Sequence, residues 1–184
     1  SRMQRNPVLS DRLVRDSYRL SLATGSLSSA ADFMEMGQLA LQAGNEEEAR
    51  QVVDKGFAAG VLGSGAEAER HKRLRDLVAR KVAEAKANQA AAEAEAKAAK
   101  DGDGLVKLGF ARAMGGDTAA GLQVMQQGIA KGGLKRPEDA KLHLGIAQVL
   151  AGDAKAQATL RSVGGSDGTA DLARLWSLYA KRRN

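Results

Sequence analysis

The sequence predicts an all-α solenoid of helical hairpins, because one short phrase recurs at a fixed period and the composition favours helix. The phrase joins an apolar residue to Gly and ends in Gly followed by Asn or Asp; its copies start at Met36, Leu108 and Leu144. Gly109 and Gly145 lie 36 positions apart, and the first copy precedes the second by twice that period. Each copy is typical of a helix that ends at Gly and is followed at once by a cap of the next helix. Such a recurring hairpin indicates a repeat protein.

The composition supports this prediction and narrows the function classes. Ala, Leu, Lys, Glu, Gln and Arg are abundant, while Pro occurs only at positions 7 and 137, so helix is favoured over sheet. We expect one domain over residues 1–184, enough for about five units that bury their apolar faces against one another. The absence of Cys excludes disulfides and thiolate catalysis.

The first half of the chain contains one clear unit, predicted over residues 30–63. A helix over 9–23 precedes it and ends in Ala-Thr-Gly. Ser28 or Ser29 is the expected N-cap of a helix over 30–43, and Asn45 with Glu48 forms a capping-box-like start for a helix over 46–59.

A long Ala-rich helix is predicted over 67–100, since this stretch has neither Gly nor Pro at the position where the period would place a turn. We expect its first half to be anchored and its second half to become progressively exposed through Ala90–Ala99, where large apolar residues are missing. The expected anchors are Leu74, Leu77, Val78 and Val82.

Two further units are predicted over 102–137 and 138–163. The first is divided at Gly115-Gly116-Asp117, and Pro137 is well placed at the first position of the helix that opens the second. A Gly-rich loop over 164–168 then leads to a helix over 170–182, which is the expected C-terminal cap of the solenoid. Its apolar side comprises Leu172, Leu175, Trp176 and Tyr179.

The units resemble tetratricopeptide repeats (TPR), which couple a Leu-Gly pair in the first helix to a small residue in the second. Leu108-Gly109 and Leu144-Gly145 match the pair, and Ala49 occupies the small position. A later small position holds Gly56, Gly128 and Gly164, which indicates close helix contact because Gly inside a helix is otherwise unfavourable. The resemblance implies a TPR-like α-α solenoid that acts as a protein-interaction scaffold and is not an enzyme.

The resemblance also implies a binding groove, because the first helices of TPR units line the concave side. The candidates there are mostly apolar and include no cation, which argues against a clamp for a peptide carboxylate. Three alternatives remain open: the groove receives a partner's helix or peptide, another part of this chain or a second copy fills it, or these residues are packed core. The candidate groove residues are Met34, Gln38, Gln42, Phe110, Met114 and Ile146.

Catalytic, metal and cofactor motifs are not supported by their surroundings. His71 and His143 are the only histidines and stand in no metal-ligand spacing, so each is interpreted as a packed or surface histidine. The acidic stretch 101–104 lacks the closing Glu of a calcium loop and is interpreted as a helix stop and cap. We therefore predict no metal and no cofactor.

A net charge of +6 keeps one alternative function open, a basic module that binds nucleic acid or an anionic envelope polymer. The cations are spread along the chain and aromatics are only 3% of residues, so nucleic-acid binding is disfavoured. No apolar run approaches the roughly 20 residues of a membrane span, and no signal peptide begins the sequence. The Ala, Gly and Arg usage favours a bacterial protein, with cytoplasm and periplasm both left open.

Overall fold

A computed structural model describes residues 10–183, and each regular element in that part of the chain is helical. The all-α prediction is confirmed. A short 3₁₀ turn at Asp11–Leu13 leads directly into the first helix, whose predicted start at Leu9 lies outside the described residues. The helices are α1 (Val14–Ala23), α2 (Ala30–Gln42), α3 (Glu46–Ala58), α4 (Ala68–Ala98), α5 (Asp103–Met114), α6 (Thr118–Lys131), α7 (Pro137–Ala151), α8 (Ala156–Arg161) and α9 (Thr169–Arg183).

Local signals mark several helix ends. The Ser29 hydroxyl accepts a hydrogen bond from the Asp32 N–H at 3.1 Å and so caps α2. Gly44, Gly116 and Gly152, which follow α2, α5 and α7, have φ values of 78°, 108° and 70°. These left-handed conformations are accessible to Gly at little cost, and they turn the chain into the next helix.

Helices that follow each other in sequence pack against each other, and α5 and α6 form the closest pair. A Cβ on Gly121 would lie 2.5 Å from the Gly109 oxygen, and a Cβ on Gly128 would lie 2.7 Å from the Gly102 oxygen. The expected close helix contact is therefore found at Gly128. It is not found at Gly164, which lies in the loop after α8 and donates its N–H to Glu138 Oε1 at 2.6 Å.

The long helix α4 has two docked ends and an exposed middle. Of the four predicted anchors, Leu74, Val78 and Val82 are buried against α2 and α3, whereas Leu77 is only half-buried and belongs to none of the core clusters of residues 10–183. Residues 86–91 are all exposed. Ala96 is buried again, packing beside Leu105 of α5. The expected progressive exposure is therefore wrong at the far end, because a small side chain allows α4 to approach α5 closely.

Helix α9 packs on α7 and α8 through Leu172, which is buried, and Trp176, which has no exposed surface. Tyr179 packs edge-on against the Trp176 ring at 5.9 Å between centroids. The sequence pattern predicts Leu175 on the same buried face, but its side chain is 49% exposed. The small residues Ala173 and Ala180 are buried instead, so the true face is rotated from the predicted one. Among residues 10–183 no helix has the length and apolar character needed to cross a membrane.

Candidate binding groove

Helix α1 packs against α2 and α9, and its side chains also reach α5 and α7. Leu13, just before α1, is 1% exposed and belongs to the core cluster that contains Phe110 and Ile146. Val14 and Tyr18 belong to the neighbouring core cluster formed mainly by α2, α3 and α4. A segment of this same chain therefore joins two parts of the core.

A buried ion network fixes the middle of α1. Arg19 donates to both carboxylate oxygens of Glu48 on α3, from Nε at 2.7 Å and from Nη2 at 2.8 Å. Its Nη1 donates to Asp16 Oδ1 at 2.6 Å. All three side chains are almost completely buried. A two-pronged Arg–carboxylate contact of this kind fixes direction as well as distance.

The network favours the charged forms of Asp16 and Arg19. Burial alone would raise the pKa of Asp16, but the charges of His143 and Arg19, and hydrogen bonds from both, lower that pKa to about 2. Burial also opposes the charge of Arg19, yet Glu48 and Asp16 raise the pKa of its guanidinium above the ordinary value. On the outer side of α1, burial and the charge of Arg19 lower the pKa of Arg15. A buried carboxylate is thus compensated by specific partners.

His143 and Phe110 extend the network to α7 and α5. His143 Nε2 lies 2.9 Å from Asp16 Oδ2. The His143 ring stacks on Phe110, with centroids 4.1 Å apart and planes within 9°, and the Arg19 guanidinium carbon lies 4.7 Å from the centroid of the Phe110 ring. Phe110 is therefore covered by one residue of α7 and one of α1.

Further contacts lie just before α1 and at its centre. Before its first turn, Arg12 binds Asp139 on α7, with Nε to Oδ2 at 2.7 Å, and also binds Asp167. Toward its centre, the Tyr18 hydroxyl donates to Glu35 Oε2 on α2 at 2.5 Å. The residues of α1 thus contact α2, α3, α5 and α7.

The structure places the six candidate groove residues in different environments. Phe110, Met114 and Ile146 share one core cluster, with 5%, 7% and 0% of their surface exposed. Met34 is buried in the neighbouring cluster. Gln38 is half-buried and Gln42 is exposed. Ile146 is completely buried and offers no surface to a partner. The anchoring of a partner by Phe110, Met114 and Ile146 therefore stays a prediction.

Met34 and Gln38 nevertheless line an open cleft of about 510 Å³ between α2, the α3–α4 loop and the start of α4. Met114 borders a smaller space of about 210 Å³ beside Arg19, and Gln42 borders a shallow depression near Arg15. A cleft of about 580 Å³ also opens where the exposed middle of α4 leaves α5. The candidates therefore do not form one continuous groove.

His71 belongs to the first cleft, a role that sequence reasoning missed. It is 4% exposed, and its Nδ1 accepts a hydrogen bond from the Gly63 N–H at 3.1 Å. Because Nδ1 accepts, the neutral ring carries its proton on Nε2. The only sequence signal was the Gly-rich loop eight residues earlier, whose return toward α4 depends on tertiary packing.

Within the described residues 10–183, no group of three or more acidic or imidazole side chains forms a potential metal site. The capping box predicted at Asn45 is also corrected: the Asn45 side chain makes no cap hydrogen bond, and the Glu48 carboxylate binds Arg19 instead. Comparison with known proteins found no matching family model, no matching curated protein and no matching solved structure.

Proposed function

We propose that this chain is a protein-interaction scaffold of TPR-like helical hairpins that binds a peptide or helix of a partner protein and catalyses no reaction. One observation carries the proposal: the hairpins hold α1 by the contacts that such a scaffold uses for a ligand. Apolar residues enter the space between helices, and a two-pronged ion pair sets the orientation. The partner is proposed to use surface that α1 leaves open.

The open clefts support this proposal by their mixed lining. The cleft at Met34 and Gln38 combines apolar side chains with groups that donate and accept hydrogen bonds. Ligand sites are typically concave and mostly apolar, with a few polar groups that fix orientation. Its volume of about 510 Å³ lies within the range of such sites.

The alternative, a binder of nucleic acid or another polyanion, is weakened by the carboxylates that pair with several of the cations along α4. Lys72, Lys81 and Lys86 lie within 4 Å of the carboxylates of Glu69, Glu84 and Glu47, at 3.4, 3.3 and 3.8 Å. These exposed pairs contribute little to stability, but each carboxylate reduces the positive potential that a phosphate would meet.

A display selection of random peptides on the full chain tests the proposal. We expect enriched peptides that carry apolar residues, bind at a 1:1 ratio and remain bound when the salt concentration is doubled. Recovery only of acidic peptides that are displaced by heparin and by doubled salt would contradict the scaffold and favour the polyanion alternative. Failure to enrich any peptide would also count against the scaffold.

A further inference from the structure

We propose that the cleft between α2, the α3–α4 loop and the start of α4 binds an uncharged, extended peptide segment, whose main-chain carbonyl accepts a hydrogen bond from His71 Nε2–H. This inference rests on the proposed scaffold function and names the site and the ligand class. The cleft lies apart from the α1 network and from Phe110, Met114 and Ile146.

The hydrogen-bond donor of the cleft is His71 Nε2–H. The Gly63 N–H occupies His71 Nδ1, so the proton of the neutral ring is on Nε2. Among residues 10–183 Nε2 has no hydrogen-bond partner. It is also absent from the buried, unpartnered polar atoms of that part of the chain, so it keeps some solvent-accessible surface. A ring that is 4% exposed thus presents an oriented N–H at the wall of a cleft. A carbonyl is the acceptor that a peptide supplies most regularly.

Two residues of α2 supply complementary groups along the cleft. Glu35 Oε2 is engaged by Tyr18, while Glu35 Oε1 has no partner among the described residues. Gln38 is half-buried, and its amide, which both donates and accepts, has no side-chain hydrogen bond within residues 10–183. Side chains three positions apart on a helix lie about 5–6 Å apart. An extended peptide repeats its main-chain groups on one edge roughly every 7 Å, so both residues are within reach of one edge.

An apolar pocket for a side chain lies beside these polar groups. It is adaptable because Met34 has three rotatable bonds and a polarizable sulfur, and the small Ala residues of the lining leave room for a ligand side chain. Extended peptides are usually recognised in this way, with main-chain hydrogen bonds supplying affinity and a pocket supplying specificity. The apolar lining comprises Ala30, Ala31, Met34, Val61 and Ala66.

Charge around the cleft favours a ligand without net charge. Arg70 Nη1 lies 3.9 Å from Glu67 Oε2 at the rim, so these two charges offset each other. The start of α4 has no side-chain cap and contributes a partial positive charge to the cleft that Glu35 also lines. Arg70 and this helix end together offset most of the negative charge of Glu67 and Glu35, so the field that acts on a charged side chain is weak.

The test is an NMR titration of the full chain with the capped tripeptide N-acetyl-Ala-Leu-Ala-methylamide. We expect the His71 ring signals to shift in a saturable way while those of His143, in the α1 network, stay constant. Analogues with Asp or Lys in place of Leu should bind more weakly. Unchanged His71 signals, or tighter binding of a charged analogue, would overturn the inference.

Two pairs of variants separate the site from folding. His71→Asn keeps an acceptor for the Gly63 N–H but removes the Nε2 donor, so binding should weaken about tenfold, whereas His71→Gln restores a donor and should bind within about threefold of the wild type. Ala31→Trp fills the cleft from an exposed position and should abolish binding, while Ala119→Trp, on the exposed face of α6, should not. Wild-type binding in both His71→Asn and Ala31→Trp would refute the site. The scaffold function would survive that result if peptides from the selection still bound elsewhere.

Discussion

Replacement of Arg19 by Met should destabilise the protein strongly, because it removes the guanidinium that lies between two buried carboxylates. Arg19 makes three hydrogen bonds, of 2.6 to 2.8 Å, to Asp16 and Glu48. After the change Asp16 keeps His143, but among residues 10–183 Glu48 keeps only the Asn45 amide at 3.3 Å as a hydrogen-bond partner. Breaking a buried pair from one side costs about 3–5 kcal/mol, since the remaining charge stays desolvated. The unfolding free energy should fall by that amount.

Urea unfolding followed by circular dichroism at 222 nm measures this loss. Arg50→Met is the matched control, because Arg50 pairs with Glu47 at 2.7 Å but is about half exposed and should cost under about 1 kcal/mol. The double variant Arg19→Met/Glu48→Met removes both charges and should recover part of the loss. A change below about 1 kcal/mol for Arg19→Met, or a double variant less stable than the single, would refute the docking of α1 described above.

Three further predictions concern the core, acid stability and α4. Phe110→Ala should lower the unfolding free energy by about 3–5 kcal/mol, as expected of a packed aromatic; a stable variant that loses peptide binding would support the groove interpretation instead. Asp16 has a lowered pKa of about 2, so its contribution, on the order of 2 kcal/mol, is complete above the unfolded pKa of about 4 and is lost as pH falls toward 2. Urea midpoints across that range should decline less in Asp16→Asn than in the wild type, and parallel curves would contradict this. Amide exchange along α4 should be fastest over residues 86–91 and slow again near Ala96; uniform protection would show that the middle of the helix is docked.

The helix pattern was predictable because its signals are local. Gly at 44, 116 and 152 and the cap at Ser29 act within a few residues of the helix ends that they specify. The small late position was informative at two of its three residues: Gly56 lies against the Leu62 and Phe33 side chains and Gly128 marks close helix packing, whereas Gly164 lies in a loop because α8 ends at Arg161.

The residues that pack against the candidate groove residues were not predictable, because the contacts that place them join positions distant in sequence. Arg12 meets Asp139 across 127 positions, and nothing near either residue indicates the pairing. Glu48 fitted a capping box by spacing, but the guanidinium of Arg19 is a stronger partner than a backbone N–H. The donor of His71 likewise depends on where the loop at Gly63 returns to α4.

Hydrogen exchange with mass spectrometry on the full chain, with and without a peptide from the display selection, tests the scaffold and its site most directly. The peptide should increase protection over residues 30–38 and 61–71, which border the cleft, and leave α1 unchanged. Protection gained along α5 and α7 together with loss of protection in α1 would contradict this account, because the peptide would then have displaced α1 from the groove.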